Sequence, residues 1–374
     1  MAGIYIHIPF CTKACHYCDF HFSTSLKNKT ELVQSILKEV TIRKDYLGDE
    51  PIETIYFGGG TPGLLSVTEL SSLLKKINET HYIKKDAEIT LEVNPENISS
   101  NYVKEIKEIG VNRLSIGVQS FFDEHLKWMN RSHSAKEAFS SIKIVQDGGI
   151  ENITIDLIYG FSSLSFSQWQ DNLDKAMALN LPHFSAYCLT VEPKTVLAKL
   201  VSSNASLIPD DETSLSQFDL MVEVAKQNKF IHYEISNFGK EGGFSKHNSS
   251  YWKGAKYLGL GPSAHSFDGI SRQWNIKNNS LYIKHVSSNE PFFEKEILTL
   301  KNRYNEYVLT SLRTIWGTSM QKIKSDFPMF YNHFITQSES LLNRKLIIKD
   351  DQLLYLNEKA KFMADNIALE LFAD

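Results

Sequence analysis

Residues 5–18 read Tyr5-Ile6-His7-Ile8-Pro9-Phe10-Cys11-Thr12-Lys13-Ala14-Cys15-His16-Tyr17-Cys18. The stretch opens on a β-branched run that predicts a strand over Gly3–Ile8. It then places three cysteines within eight residues, spaced C-x3-C-x2-C. Beyond Cys18 the chain holds one more cysteine, Cys188. Three clustered thiolates can hold three corners of a cubane iron–sulfur cluster and leave the fourth iron open for a ligand. A disulfide framework wants an even cysteine count in a short secreted chain. This chain is long, and Met1–Phe10 is too short and lacks the basic start of a cleavable leader. Structural zinc needs a fourth ligand. His7, His16 or His21 would supply it, so zinc stays open on spacing alone.

A length of 374 residues suggests two or three domains. Forty basic against 44 acidic residues give a net charge of −4, which demands neither a nucleic-acid nor a membrane partner. No apolar run reaches the roughly 18 residues that span a bilayer. The expectation is a soluble protein of a reducing compartment, most simply the cytoplasm.

Outward from the cysteines, strand-like and helix-like segments alternate over the first 230 residues or so. Further strands are predicted at Thr54–Phe57, Glu88–Val93, Arg113–Val118, Asn152–Ile158 and His183–Leu189. Asn28 with Glu31, Ser66 with Glu69, Ser134 with Glu137, and Ser165 with Gln168 fit helix caps. Leu70, Leu73, Leu74 and Ile77 form one buried stripe, and Trp169, Leu173, Ala176 and Leu179 another. Gly110 and Gly148 suit helix stops. Six βα units predict parallel strands with right-handed crossovers, either as an open doubly wound sheet or as a barrel-like one. After about residue 236 glycines crowd in with Tyr251, Trp252 and Tyr257, which predicts an irregular, ligand-contacting connector. From about Pro291 the pattern turns helical. A hairpin of Leu346–Ile348 with Leu353–Leu356 and a last helix complete a winged-helix-like unit.

In parallel sheets the reactive edge lies at the carboxyl ends of the strands. There this chain carries the cysteines, then Gly58-Gly59-Gly60-Thr61-Pro62, Glu92 with Asn94, Gln119-Ser120, Asp156 with Tyr159-Gly160, and Tyr187 leading to Glu192. Three glycines let backbone groups approach a ligand without obstruction by Cβ. Glu92 and Asp156, if buried, need a partner. A ligand ammonium or ribose would serve, and so would a salt bridge to Arg113 or Arg131.

With these residues assembled, the chain resembles the radical S-adenosylmethionine superfamily, in the branch shared by oxygen-independent coproporphyrinogen III oxidases and HemW-type haem chaperones. The resemblance rests on Tyr5–Cys11, the cysteine spacing, Tyr56-Phe57-Gly58-Gly59-Gly60-Thr61-Pro62, Glu92-Val93-Asn94-Pro95, Arg113–Phe121, Asp156-Leu157-Ile158-Tyr159-Gly160 and Ser185-Ala186-Tyr187. It covers the N-terminal region in order and extends into the connector and the C-terminal unit. It implies a partial (β/α)6 barrel over 1–235, a Gly-rich connector over 236–290 and a winged-helix-like domain over 291–374. It implies a 4Fe–4S cluster on Cys11, Cys15 and Cys18, with the amine and carboxylate of S-adenosylmethionine on the open iron. By matched position Tyr5, Gly59, Gly60, Thr61, Glu92, Gln119, Arg131 and Asp156 would line that cofactor. A low-potential donor such as flavodoxin or ferredoxin would reduce the cluster, whose electron would cleave the sulfonium.

Within the branch, the oxidases carry a fourth cysteine where this chain has Phe20, and an extension ahead of the first strand. Both departures favour the chaperones, as does His247-Asn248-Ser249-Ser250-Tyr251-Trp252, which resembles their haem-associated HNxxYW motif. On the residues alone, His247 reads first as a hydrogen-bonded loop histidine with the aromatics packing the barrel mouth; the resemblance reverses that and implies haem on His247 with Tyr251 and Trp252 as flat contacts. His265 is a second candidate ligand. Haem, an apo-haemoprotein acceptor, a homodimer and peripheral membrane association complete the expected partners. Decarboxylation of coproporphyrinogen III is the alternative function. The departure Tyr159-Gly160-Phe161-Ser162, where the family continues with Leu-Pro, predicts a looser turn. Cys188 reads as a small buried hydrophobe. The C-terminal unit raises a third class, a nucleic-acid-binding regulator. Residues 290–374 carry 11 Lys/Arg against 12 Asp/Glu, without the basic excess of a DNA reader, so no nucleic acid is expected.

Overall fold

The computed structural model describes residues 2–204, 207 and 211–373. Six strands follow one another in chain order and run parallel: β1 (Ala2–Ile8), β2 (Ile52–Gly59), β3 (Ile83–Val93), β4 (Arg113–Gln119), β5 (Asn152–Tyr159) and β6 (His183–Cys188). All six predicted strands are present, β3 starting earlier than expected because Ile83 already pairs with Ile52. The arc does not close. Its flank at β6 continues into β8 (Asn237–Gly239) and β7 (Ile231–Glu234), its flank at β1 into β9 (Lys256–Leu260), β10 (His265–Phe267), β11 (Ser271–Asn275) and β12 (Phe293–Ile297). With both flanks paired to other strands, β1 and β6 never meet, so the barrel stays partial; the unbroken order β1 to β6, without the reversal of a doubly wound sheet, decides between the two arrangements.

Alternation along each strand sorts the two faces. Ile4, Ile6 and Ile8, then Ile55 and Phe57, Leu114 and Ile116, and Ile153 and Ile155 point outward and are fully buried beneath the crossover helices. The two predicted stripes lie in this outer layer: Leu70, Leu73, Leu74 and Ile77 on helix Val67–Thr80, and Trp169, Leu173 and Ala176 on helix Phe166–Ala178, with Leu179 just past its end. Ser66, Ser134 and Ser165 each form a full capping box. Asn28 caps nothing, since its backbone sits at ψ 21° rather than in the extended region a cap requires. Gly110 follows its helix at φ +101°, whereas at the other stop Gly149, not Gly148, takes the left-handed conformation. The turn at Gly160 is not loose. The Gly160 N–H donates to Gln217 Oε1 at 2.9 Å, and the buried Phe161 ring stacks on Trp128.

The connector is more regular than its glycine content predicted. It contains helix Lys246–Trp252 and strands β9, β10 and β11. Its glycines serve close packing: a Cβ on Gly259 would collide with the backbone of His265, and one on Gly261 would press on the His7 carbonyl. Residues 293–297 form edge strand β12 ahead of the first C-terminal helix, Leu300–Leu312, its charged side chains all exposed. Helices Met320–Asp326, Tyr331–Asn343 and Ala364–Glu370 then surround a small sheet of β13 (Thr318–Ser319), β15 (Leu353–Leu356) and β14 (Ile347–Asp350). A separate core that includes Tyr304, Val308, Ile323, Phe334 and Leu341 fills this winged-helix-like unit. Among the described residues no helix is long and apolar enough to cross a membrane.

Candidate functional site: two cavities and a plugged barrel floor

The inward face of the barrel is polar at both ends, not only at the carboxyl rim. At the amino-terminal end Arg113, 1% exposed, lies 3.9 Å from Glu88 and donates to Thr154 Oγ1. Thr154 in turn meets His183 Nδ1 at 3.0 Å, and His183 Nε2 meets the Tyr233 hydroxyl at 2.7 Å. Glu88 accepts the backbone N–H groups of Lys246 and His247, both at 3.0 Å. A carboxylate at a helix start satisfies orphan donors, so this pair docks helix Lys246–Trp252 into the barrel. His247 is therefore a helix residue rather than a loop residue, and it is 1% exposed. Its Nδ1 meets Thr54 Oγ1 at 2.7 Å and its Nε2 the Tyr251 hydroxyl at 2.8 Å, while its ring stacks on Tyr56. Burial, then the nearby Arg113, lowers its pKa to about 3. Both ring nitrogens are engaged, and His247 lines neither cavity described next.

The first cavity, about 420 Å³, opens at the carboxyl ends of the strands. It is lined by Cys11, Cys15, Cys18, Gly59, Gly60, Thr61, Glu92, Gln119, Arg131 and Asp156, all expected there, together with Asn94, Tyr187 and Glu192 from the same rim. Tyr5 is absent from this wall; it packs behind it on Tyr56 and faces the second cavity. Several lining residues went unnoticed in the sequence, among them Tyr17, Ser115 and Ser132. The parity of β4 would have found Ser115, two positions past the inward Arg113. Cys188 also reaches this wall instead of lying in the core.

The acids here lack cationic partners. Glu92 accepts the Tyr56 hydroxyl at 2.7 Å and the Gly59 N–H at 3.2 Å, and burial pushes its pKa up to about 7. Asp156 accepts from Ser115 at 3.2 Å and is likewise raised by burial. Of the arginines considered as partners, Arg113 is spent on Glu88. Arg131 donates to Asn94 Oδ1 at 2.7 Å and to the Gly117 carbonyl at 2.8 Å, and lies 3.5 Å from Cys15 Sγ. The glycine run has an internal use as well. A Cβ on Gly60 would lie 2.6 Å from the Phe10 carbonyl, and the Gly60 N–H donates to Ile8 at 2.9 Å, so the run seats the cysteine loop. Gln119 sits at φ +66°, at a register shift that ends β4. Backbone strain of this kind concentrates at ligand sites.

Burial pushes the Cys11 thiol up to about 11 and the Cys18 thiol to about 12. Without a bound cation these thiols stay protonated, and a thiophilic metal that displaces the protons relieves the mismatch. Among the described residues no three His, Cys, Asp or Glu side chains form a site for a single metal ion. A cubane instead takes each thiolate on a different iron, and the three thiols on one cavity wall suit it.

The second cavity, about 1060 Å³, lies between the connector and the C-terminal unit. Tyr251 and Trp252 line it, as do His7, His21 and His265. Asp19 and Phe20 line both cavities and so form their common partition.

Comparison with known proteins agrees with this architecture. Residues 5–176 match the model of the radical SAM superfamily. The chain is 31% identical over 371 residues to the haem chaperone HemW of Bacillus subtilis, covering 98% of each. It is 36% identical over 266 residues to the Escherichia coli haem chaperone HemW, covering 70% of this chain and 69% of that one. The structure of E. coli coproporphyrinogen III oxidase (HemN) superposes with a TM-score of 0.86 at 22% identity, covering 100% of this chain and 90% of that one. At that identity the likeness speaks for the fold alone.

Proposed function

The chain belongs to the HemW family within the radical SAM superfamily, and from that membership we propose that it binds haem and hands it to an apo-haemoprotein, on a scaffold holding one 4Fe–4S cluster and S-adenosylmethionine. The observation that carries this reading is the 31% identity to a haem chaperone along 98% of both chains. In the proposal Cys11, Cys15 and Cys18 hold the cluster. Glu92 and Asp156, short of cationic partners, receive the ligand's ammonium and ribose hydroxyls. Arg131, fixed on Asn94 and Gly117, sets a positive charge beside Cys15. Gln119 and Thr61 complete the wall, and Tyr5 supports it from behind through Tyr56. When bound, the cluster and the sulfonium supply one-electron chemistry, for which a flavodoxin- or ferredoxin-like donor is the natural reductant. The working compartment is taken to be the cytoplasm, where free thiols persist.

The test is a haem titration of anaerobically reconstituted protein, followed by mixing with an apo-haemoprotein. Stoichiometric Soret binding and spectral transfer are expected. Protoporphyrinogen formation from coproporphyrinogen III, with S-adenosylmethionine and a low-potential reductant at useful turnover, would replace the chaperone by the oxidase.

A further inference from the structure

The wall of the second cavity is rich in donors that have no acceptor. Trp252 Nε1, Arg272 Nε and Arg303 Nε are closed off from water and unbonded, and all three residues line this cavity. Being closed off from water, these three nitrogens sit behind the cavity surface, so what a ligand meets is the rest of each side chain. Most of the basic side chains here are already engaged. Arg272 pairs with Glu306 at 2.9 Å, Lys322 with Asp326 at 2.5 Å, and Lys253 lies over the Trp316 ring at 4.0 Å. Lys277 and Arg303 line the same cavity and are in no ion pair among the described residues. The remaining wall includes the aromatic faces of Tyr251, Tyr257 and Phe267. Flat apolar walls with two uncommitted cations suit a planar ligand that carries carboxylates.

The three histidines of this wall differ in what their nitrogens do. His7 meets the Tyr5 hydroxyl at 3.1 Å and the His21 carbonyl at 2.9 Å, so both its nitrogens are used. His21 Nε2 meets Asn279 Oδ1 at 2.7 Å. His265 is exposed, and its ring makes no hydrogen bond among the described residues. The β10–β11 pairing holds it opposite Trp274.

We propose that the second cavity is the porphyrin seat, with His265 as the iron ligand and Lys277 and Arg303 receiving the two propionates. The proposal rests on the haem-chaperone reading. It moves the iron from the helix residue His247, whose nitrogens are taken, to a strand residue whose nitrogens are not. A volume of about 1060 Å³ is at the upper end of small-ligand sites and suits a macrocycle.

Cluster-loaded full-length protein is titrated with haem and with haem dimethyl ester, as wild type, His265→Gly, His247→Ala and Arg303→Ala. In the wild type one histidine-ligated haem is expected. His265→Gly should lose that Soret and resonance-Raman signature, and added imidazole should restore it, which a merely misfolded variant would not show. His247→Ala should keep the signature. The ester, which lacks both carboxylate charges, should bind the wild type about a hundredfold more weakly than haem, roughly tenfold for each of two charge-assisted hydrogen bonds, and Arg303→Ala should narrow that gap. An unchanged signature in His265→Gly, or its loss in His247→Ala alone, overturns the ligand assignment and leaves the chaperone reading standing. Equal affinity for haem and ester overturns the propionate assignment. A wild type that binds no haem overturns the chaperone reading and this proposal with it.

Discussion

In the first cavity the groups without partners are acids; in the second they are donors. Glu92 and Asp156 face a space whose lining arginine, Arg131, is already held by Asn94 and Gly117. Lys277 and Arg303 face a space where Glu306 and Asp326 are already paired with Arg272 and Lys322, which leaves Asp19 on the partition as the one lining acid outside an ion pair among the described residues. Two chambers of one chain are thus prepared for opposite charges, a cationic nucleoside in one and a carboxylate-bearing macrocycle in the other. The difference follows from their construction. Strand ends build the first, so register and parity fix its side chains. The connector and the C-terminal helices build the second, and its side chains come from segments far apart in sequence.

The contrast breaks most severely at the cysteines. Cys11→Ser, Cys15→Ser or Cys18→Ser should abolish iron and inorganic sulfide in anaerobically reconstituted protein while haem still titrates into the second cavity; joint loss of both would show that the chambers are not separable. Next comes the barrel floor, where an acid does have its partner. Arg113→Met strands the Glu88 carboxylate under helix Lys246–Trp252, and breaking a buried pair in this way costs about 3–5 kcal/mol, to be read by urea denaturation. A loss below about 1 kcal/mol would mean that Glu88 does not depend on Arg113.

The acids of the first cavity should behave in the opposite sense. The Glu92 pKa, raised by burial to about 7, lies above its unfolded value. Between the ordinary carboxylate range and pH 7 the folded chain therefore holds a proton that the unfolded chain has released. Stability of the ligand-free protein should fall as pH rises across that window and level off above it. Affinity for S-adenosylmethionine should rise over the same window as the carboxylate forms. Glu92→Gln should flatten the contribution of this residue to both profiles, measured by thermal melts and equilibrium dialysis. The smallest effect is expected from Asp156→Asn. It removes a buried charge with no cation, so it should leave the free protein as stable or raise it by about 1 kcal/mol while weakening the nucleoside. A clear destabilisation would reveal a partner for Asp156.

The barrel was legible because β-branched runs and capping serines write their structure locally. Ser66, Ser134 and Ser165 each act within three residues of themselves. The cysteine wall was legible for the same reason. The connector was not, since Gly259 and Gly261 look like loop residues until β10 and β1 are set against them. Nor was the state of His247. Its spacing to Tyr251 is helical, but the bond to Thr54 joins residues 193 positions apart. The difference between His247 and His265 is entirely tertiary: each is a histidine among glycines and aromatics, and only the packed chain shows which one keeps its nitrogens free.

Asp19 and Phe20, 67% exposed in the case of the phenylalanine, belong to both chambers. A residue with two tenants obeys detailed balance. If nucleoside binding moves this ring and alters the grip on the macrocycle by some factor, the macrocycle alters the grip on the nucleoside by that same factor. Fuel and freight would then each read the other's presence through a single side chain, at the position where the oxidases of this branch carry a cysteine.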